Sequence, residues 1–355
     1  MTDFYTAPVL RQDHRPGEVL RTHETEISAL VDSTRTWQLV YVSADSRTEL
    51  IPVTGTVITP RVANPRRPAP LLVYCPSFHG LGGACAPSQQ LIAGEETLDP
   101  IIAALDRGWA VAVPDGENLG ITGLGSHTFL AGRAAGHVAL DLARAAQNLP
   151  EFAGVTGPVV LWGYADGGRA ALWAATLHGD YAPELDLRGV AAGAVVTDPA
   201  ALVEIIDSGP WSALGLAGLL GLSRAYHHLP LRHVFTADGH RAAQRAETLS
   251  AQILLAQYQQ PLGHWCERSD PWNDPIWRYV LARENTTGFD ELRIPVHLYH
   301  GRRDSIIPYE LAHRLAADLR AGRTLLTWQE YDGDHLDTAE RSALDVVNQL
   351  NTFLT

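Results

Sequence analysis

Leu161-Trp162-Gly163-Tyr164-Ala165-Asp166-Gly167-Gly168 decides the fold. It has the form of the G-x-S-x-G turn in which a strand passes sharply into a helix and a strained central residue is lifted towards a reacting group. Gly163 and Gly167 are the small neighbours that such a turn requires, because a Cβ at either position would collide with the other element. The preceding Gly157-Pro158-Val159-Val160-Leu161-Trp162 reads as a buried strand and Arg169-Ala170-Ala171-Leu172-Trp173-Ala174-Ala175 as helix. The central residue is Ala165, where the turn normally carries its nucleophile. On its own the glycine pair also fits a strand-to-helix turn in any α/β protein, so the remaining loops have to be weighed with it.

Working outward, Thr36–Val42 and Val53–Ile58 read as two leading strands after an irregular arm of residues 1–35, and Arg61–Pro70 as a surface loop. Strand and helix then alternate: Leu71–Cys75, a helix near 98–107, Trp109–Val113, a helix near 130–148, the elbow strand, and a strand around 190–196. This order predicts an α/β fold, a mainly parallel sheet with helices on both faces. Residues 198–285 show helical patterns and no clear strand, and are expected to form an inserted helical cap. The sheet resumes at Ile294–Tyr299 and closes through Thr324–Trp328. The core is thus expected to comprise residues 1–197 and 286–355.

Composition removes several chemistries. The 355 residues, 46% of them hydrophobic, can bury a large core, and a net charge of -13 without a basic stripe argues against a nucleic-acid partner. All basic residues besides histidine are arginine, which excludes lysine Schiff bases, a Ser-Lys dyad and a lysine-bearing phosphate loop. Cys75, Cys85 and Cys266 form no metal-binding spacing, and the mixed spacing of His227, His228, His233 and His240 reads as solvated or satisfied side chains. Neither a metal nor a cofactor is expected. With no leader-like amino terminus and no long apolar run, the chain as written is expected to be cytoplasmic and not stably inserted in a membrane, or secreted if a leader has been removed.

A nucleophile elbow works with an acid after a late strand and a histidine after the last one. Tyr299-His300-Gly301-Arg302-Arg303-Asp304-Ser305-Ile306-Ile307-Pro308 places Asp304 beyond a strand end, a position that an ordinary helix-capping aspartate would also occupy. Tyr331-Asp332-Gly333-Asp334-His335-Leu336 places His335 before the final helix. Asp304 would orient the imidazole, and His335 would relay the proton of a hydroxyl at position 165. The oxyanion hole would combine the backbone N–H of Asp166 with one from Ser77-Phe78-His79-Gly80-Leu81-Gly82-Gly83, where His79 or Gly80 is the candidate. A phosphate cradle in that loop has no supporting register.

With these loops assembled, the chain resembles the secretory lipase family of α/β-hydrolases, in its actinobacterial branch. The likeness is carried by Phe78-His79-Gly80 with Cys85-Ala86-Pro87-Ser88, by Val113-Pro114-Asp115-Gly116-Glu117-Asn118-Leu119-Gly120, by the elbow, by Tyr181–Gly193, and by the Asp304 and His335 loops. It implies the α/β-hydrolase fold and carboxylester hydrolysis or acyl transfer on a small ester or acyl substrate, under a helical lid. Tyr164, Leu81, Leu219 and Leu222 are expected at the substrate, the last two from an apolar stretch, Leu214–Leu222, that equally fits a packed cap helix. The resemblance also suggests Cys85 and Cys266 as a disulfide pair, with two free thiols as the alternative.

Two departures from the family are read in the sequence as written: no secretion signal is expected, and Ala165 stands at the nucleophile position. Two readings of the alanine stand. In the first, the chain is a nucleophile-deleted ester hydrolase or acyltransferase, since Asp304, His335 and the oxyanion loop are all kept. In the second, the alanine is native, and His335 with Asp304 serves as general base for a cyclisation, elimination or isomerisation on an acyl or polyketide-like substrate, or the chain only binds.

Overall fold

The computed structural model describes residues 4–61, 69–82, 85–149, 157–286, 289 and 292–355. Among these residues nine strands, β1 (Val19–Thr25), β2 (Thr34–Ala44), β3 (Leu50–Pro60), β4 (Leu71–Cys75), β5 (Ala110–Pro114), β6 (Val159–Tyr164), β7 (Leu187–Gly193), β8 (Val296–Gly301) and β9 (Leu326–Tyr331), form one sheet in the order β1-β2-β3-β5-β4-β6-β7-β8-β9. The pairs β1–β2, β2–β3 and β3–β5 are antiparallel, and every pair from β5–β4 to β8–β9 is parallel. This is the mainly parallel α/β sheet that the alternation predicts, in the α/β-hydrolase arrangement that the resemblance implies. The arm expected to be irregular contributes β1, an edge strand of partly exposed residues whose weak alternation hides it in the sequence. Residues 62–68 of the expected surface loop, and Gly83 of the oxyanion loop, lie outside the described residues.

Twelve α-helices accompany the sheet among the described residues: α1 (Pro87–Ala93), α2 (Asp99–Leu105), α3 (Gly132–Gln147), α4 (Asp166–Tyr181), α5 (Pro199–Ile206), α6 (Ser212–Ala225), α7 (Ala237–Ala246), α8 (Ala251–Gln257), α9 (Pro275–Arg283), α10 (Tyr309–Ala321), α11 (His335–Arg341) and α12 (Ala343–Phe353). The central strand β6 is buried along its whole length, and strand alternation sends its side chains to two cores. Val159 and Leu161 join α3, α4 and α10 on one face, while Val160, Trp162 and Tyr164 join α2 and α12 on the other. Burial of each such large apolar side chain contributes roughly 1.5–3 kcal/mol.

Helices α5 to α9 lie between β7 and β8 in the chain and share a separate apolar cluster. That cluster also takes in Leu81, Phe129, Ala131 and Ala134 from the core. Two attachments tie this cap down. Backbone pairing joins it to the loop after β4, where Leu81 N–H donates to Leu249 O at 2.9 Å and Ala251 N–H to His79 O at 2.8 Å. A buried ion pair joins it to α4, with Arg169 Nη2 2.6 Å from Glu284 Oε2 and both side chains at most 2% exposed. Arg169 also donates to the carbonyls of Leu130, Val196 and Glu284, and Glu284 accepts from Gly132 N–H and Tyr226 Oη–H. Cys75, Cys85 and Cys266 are free buried thiols, so the suggested Cys85–Cys266 disulfide is not formed.

Candidate active site

The elbow closes as its glycines demand. A Cβ on Gly163 would be driven into the carbonyl of Gly167, and one on Gly167 into the carbonyl of Cys75. Between them Ala165 has φ 53° and ψ -115°, a conformation that L-residues adopt only under constraint. Its N–H donates to Gly193 O at 2.8 Å, and its carbonyl accepts from Arg169 N–H at 3.1 Å, which starts α4. The strained backbone is therefore fixed at both ends although the side chain is a methyl group.

His335 is the first residue of α11, whose amino end is capped by Asp334 accepting from Asp337 N–H at 2.9 Å. Its Nδ1–H donates to Asp304 Oδ2 at 2.7 Å. The other carboxylate oxygen of Asp304 accepts from Ile306 N–H at 2.9 Å and Ile307 N–H at 2.8 Å. The turn-capping role and the histidine-orienting role thus fall to different oxygens of one side chain. Burial raises the Asp304 pKa, but the hydrogen bonds from His335 and the two backbone amides outweigh it and hold the carboxyl below its ordinary value. His300, fully buried, adds Nε2 3.5 Å from Asp304 Oδ2 and donates to Ile307 O. Burial lowers its pKa beside the pair.

Ala165, Asp166 and His335 open onto one cavity of about 410 Å³. Its wall is almost wholly apolar and combines Phe129 and Leu130 of the core with Leu202, Ile206, Leu214, Leu255, Trp272 and Trp277 of the cap. Leu219 and Leu222, expected at the substrate, line it from one face of α6, while other residues of α6 such as Leu216 and Leu220 pack into the cap cluster. Leu219 and Leu222 also take part in that cluster, so the stretch both borders the cavity and packs within the cap.

The structure does not bring the remaining expected residues to this cavity. Tyr164 follows Trp162 onto the opposite face of the sheet, where its ring packs near Tyr299 and its hydroxyl donates to His335 O at 2.8 Å. It positions the histidine loop instead of touching the cavity. Leu81 is completely buried under the cap, and Gly80 pairs with Ser250. The φ of Gly80, 138°, and a virtual Cβ 2.6 Å from both Leu249 O and Ser250 Cα show why glycine stands there. His79 turns its ring to Ser77 O and Glu96, and although burial opposes protonation, the Glu96 contact raises its pKa. From this loop it is Ser77 and Phe78 that line the cavity, two residues before the pair expected from sequence. Ser77 Oγ donates to Tyr164 O at 3.0 Å and so links the loop to the elbow. The Asp166 carboxyl, at the cavity and close to Arg169 and Glu284, is pushed up to about 6 by burial.

Among the described residues no group of histidine, cysteine and acidic side chains could hold a metal ion, and no helix is long and apolar enough to cross a membrane. The sequence model of the secretory lipase family matches residues 90–339. Lipase 6 of Candida albicans is 30% identical over 341 residues, covering 86% of this chain and 70% of the relative. A Mycobacterium tuberculosis protein named "Probable inactive lipase" is 35% identical over 208 residues, 55% of this chain and 45% of that one. In fold, lipase A of Candida antarctica superposes with a TM-score of 0.84 at 22% identity, covering 97% of this chain and 85% of that one. A rice cell wall degrading esterase of Xanthomonas oryzae reaches 0.78 at 18% identity over 96% of this chain and 100% of that one. The chain belongs to the secretory lipase family, ester hydrolases built on the α/β-hydrolase fold.

Proposed function

We propose that this chain is the nucleophile-lacking form of a lipase-like carboxylester hydrolase or acyltransferase, which holds a long-chain acyl ester without forming an acyl-enzyme. The observation that carries the reading is the shared opening of Ala165 and His335 onto a large apolar cavity, with the elbow strained and the Asp304–His335 bond intact. The acyl chain occupies the cap cavity, and its carbonyl lies at the amino end of α4, where the first N–H groups have no partner within the helix. Asp166 N–H and an N–H of the Ser77-Phe78 turn serve as the oxyanion donors.

With a serine hydroxyl at 165, the chemistry completes itself. His335 Nε2 takes the hydroxyl proton as the oxygen attacks the carbonyl carbon, then returns it to the departing alkoxide. Water or an alcohol, deprotonated by the same histidine, releases the acyl group. With alanine the attacking oxygen is missing while the binding surfaces are unchanged. The test is Ala165→Ser assayed on esters of acids of graded length, with Ala165→Ser/His335→Gln as control. Expected is a gain in turnover on the order of a millionfold, the size of loss seen when a triad nucleophile is deleted, and its disappearance in the double variant. A folded Ala165→Ser protein that cleaves no acyl ester or thioester overturns the reading.

The name of the mycobacterial relative favours a second reading, in which the alanine is native. His335 then acts as general base on a bound acyl or polyketide-like molecule, or the chain only binds it. His335→Ala in the parent separates these, abolishing turnover in the first case and leaving acyl binding unchanged in the second.

A further inference from the structure

A second cleft, of about 210 Å³, opens at the junction of core and cap and, among the described residues, shares no lining residue with the acyl cavity. The turn after β2, the first turn of α3, the middle of α4 and the ends of α6 and α9 meet there. In a chain of net charge -13, its wall carries Arg47, Arg133, Arg283 and His228. Among the described residues its one carboxylate is Glu284, whose oxygens are already engaged by Arg169, Gly132 N–H and Tyr226 Oη–H.

The arginines are unequal. Arg47 is paired with Glu49. Arg133 and Arg283 have no carboxylate partner among the described residues; Arg283, which is exposed, lies over the Tyr279 ring at 5.7 Å and interacts with the Tyr226 and Tyr279 side chains. Ser46 and Trp173 also line the cleft, and their Oγ and Nε1 atoms are buried without a hydrogen-bond partner among the described residues. The side chains lining this space thus carry chiefly N–H and O–H donors, bordered by the rings of Trp173, Tyr226 and Tyr279. Guanidinium groups without a carboxylate partner at the wall of a cleft favour an anion with paired oxygens, because their planar forks match carboxylate and phosphate geometry.

We propose that this cleft binds a small molecule bearing a phosphate or carboxylate group, held by Arg133 and Arg283 against Ser46 and Trp173. Because Tyr226 and Glu284 line the cleft and also make the cap attachment to Arg169, the bound anion braces the cap on the core. Occupancy is independent of the residue at 165, so it is measurable in the parent chain.

The experiment titrates the full chain with inorganic phosphate, phenyl phosphate and citrate at constant ionic strength, following heat of binding and the indole N–H resonance of Trp173, identified by its loss in Trp173→Phe. Expected is saturable one-to-one binding that shifts the Trp173 resonance, weakened at least tenfold by Arg133→Gln and by Arg283→Gln. Arg241→Gln, which alters an exposed arginine paired with Asp238, should leave it unchanged. Stronger binding of phenyl phosphate than of inorganic phosphate identifies an organic phosphate as the favoured class, and preference for citrate a carboxylate. A response that sodium chloride reproduces, or one that survives both arginine substitutions in protein shown to be folded by circular dichroism, overturns the proposal.

Discussion

Two cavities flank the elbow, and they share Ser77, Phe78, Leu130 and Asp166 as a common wall. On one side lies the 410 Å³ apolar space under the cap; on the other a smaller, more polar space of about 60 Å³, of mixed lining, holds Asp115, Glu117, His79 and His127. The polar side is largely satisfied from within the chain. Asp115 accepts from Ser88 N–H at 2.7 Å and Ser88 Oγ at 2.6 Å and from Thr54 Oγ1, while Glu117 accepts from Thr128 Oγ1 at 2.8 Å. Burial nonetheless pushes Asp115 up to about 6 and Glu117 up to about 7, and lowers His127 to about 4. The contrast separates two tasks that one loop serves: the apolar side leaves room for a guest, and the polar side shapes the turn that faces it.

The largest test of this division is Ala165→Ser, whose millionfold gain would place all chemistry on the apolar side. Next comes the junction behind both spaces. Glu284→Gln leaves Arg169 buried without its counter-charge, and should cost about 3–5 kcal/mol in denaturant unfolding. A loss below about 1 kcal/mol would mean that the cap is held chiefly by its apolar contacts and by the backbone pairing at Gly80.

The polar side is sharpened by pH. The folded Glu117 pKa stands above its free value of 4.5, so the stability it contributes is fully present below about pH 4.5 and lost as pH rises through about 7. Glu117→Gln removes that loss. Its stability relative to the parent should climb between pH 4.5 and 8 by up to ~3 kcal/mol, because each pH unit separating the folded from the free value is worth about 1.4 kcal/mol. His127 titrates in the opposite sense, its contribution falling as pH drops from 6.5 through about 4, but it is common to both proteins and cancels. A flat difference across this range would show that Glu117 is ionised without penalty. The smallest effect is expected from Leu222→Trp, which fills part of the acyl cavity. Binding of a long-chain fatty acid should weaken about tenfold, some 1.4 kcal/mol, while a short-chain acid binds as before. Equal losses for both would mean that the chain does not extend along α6.

The elbow, Asp304 and His335 are legible in the sequence because each is written in a short local pattern of strand end, small residue and helix start. Leu219 and Leu222 are legible by helical spacing, three apart on α6. Tyr164 is placed wrongly by its neighbourhood to the elbow although the correcting signal is present: alternation from Trp162 already assigns it to the opposite face of β6. His79 and Gly80 cannot be placed from their own loop, because their positions are set by pairing with residues 249–251, about 170 positions later. Helix α1 is hidden by its lack of length, being seven residues begun by Pro87 and ended by Gly94.

Arg169 and Glu284 stand 115 residues apart in the chain, and this distance bears on the order in which the protein can be made. A ribosome delivers α4 and the elbow well before it delivers the end of α9. Until then the guanidinium has only the carbonyls of Leu130 and Val196 as acceptors and lacks its Glu284 partner, and seating it in the interior is unfavourable. The amino-terminal half of the core therefore stays provisional during synthesis, and the elbow is locked only when the last turn of the cap arrives.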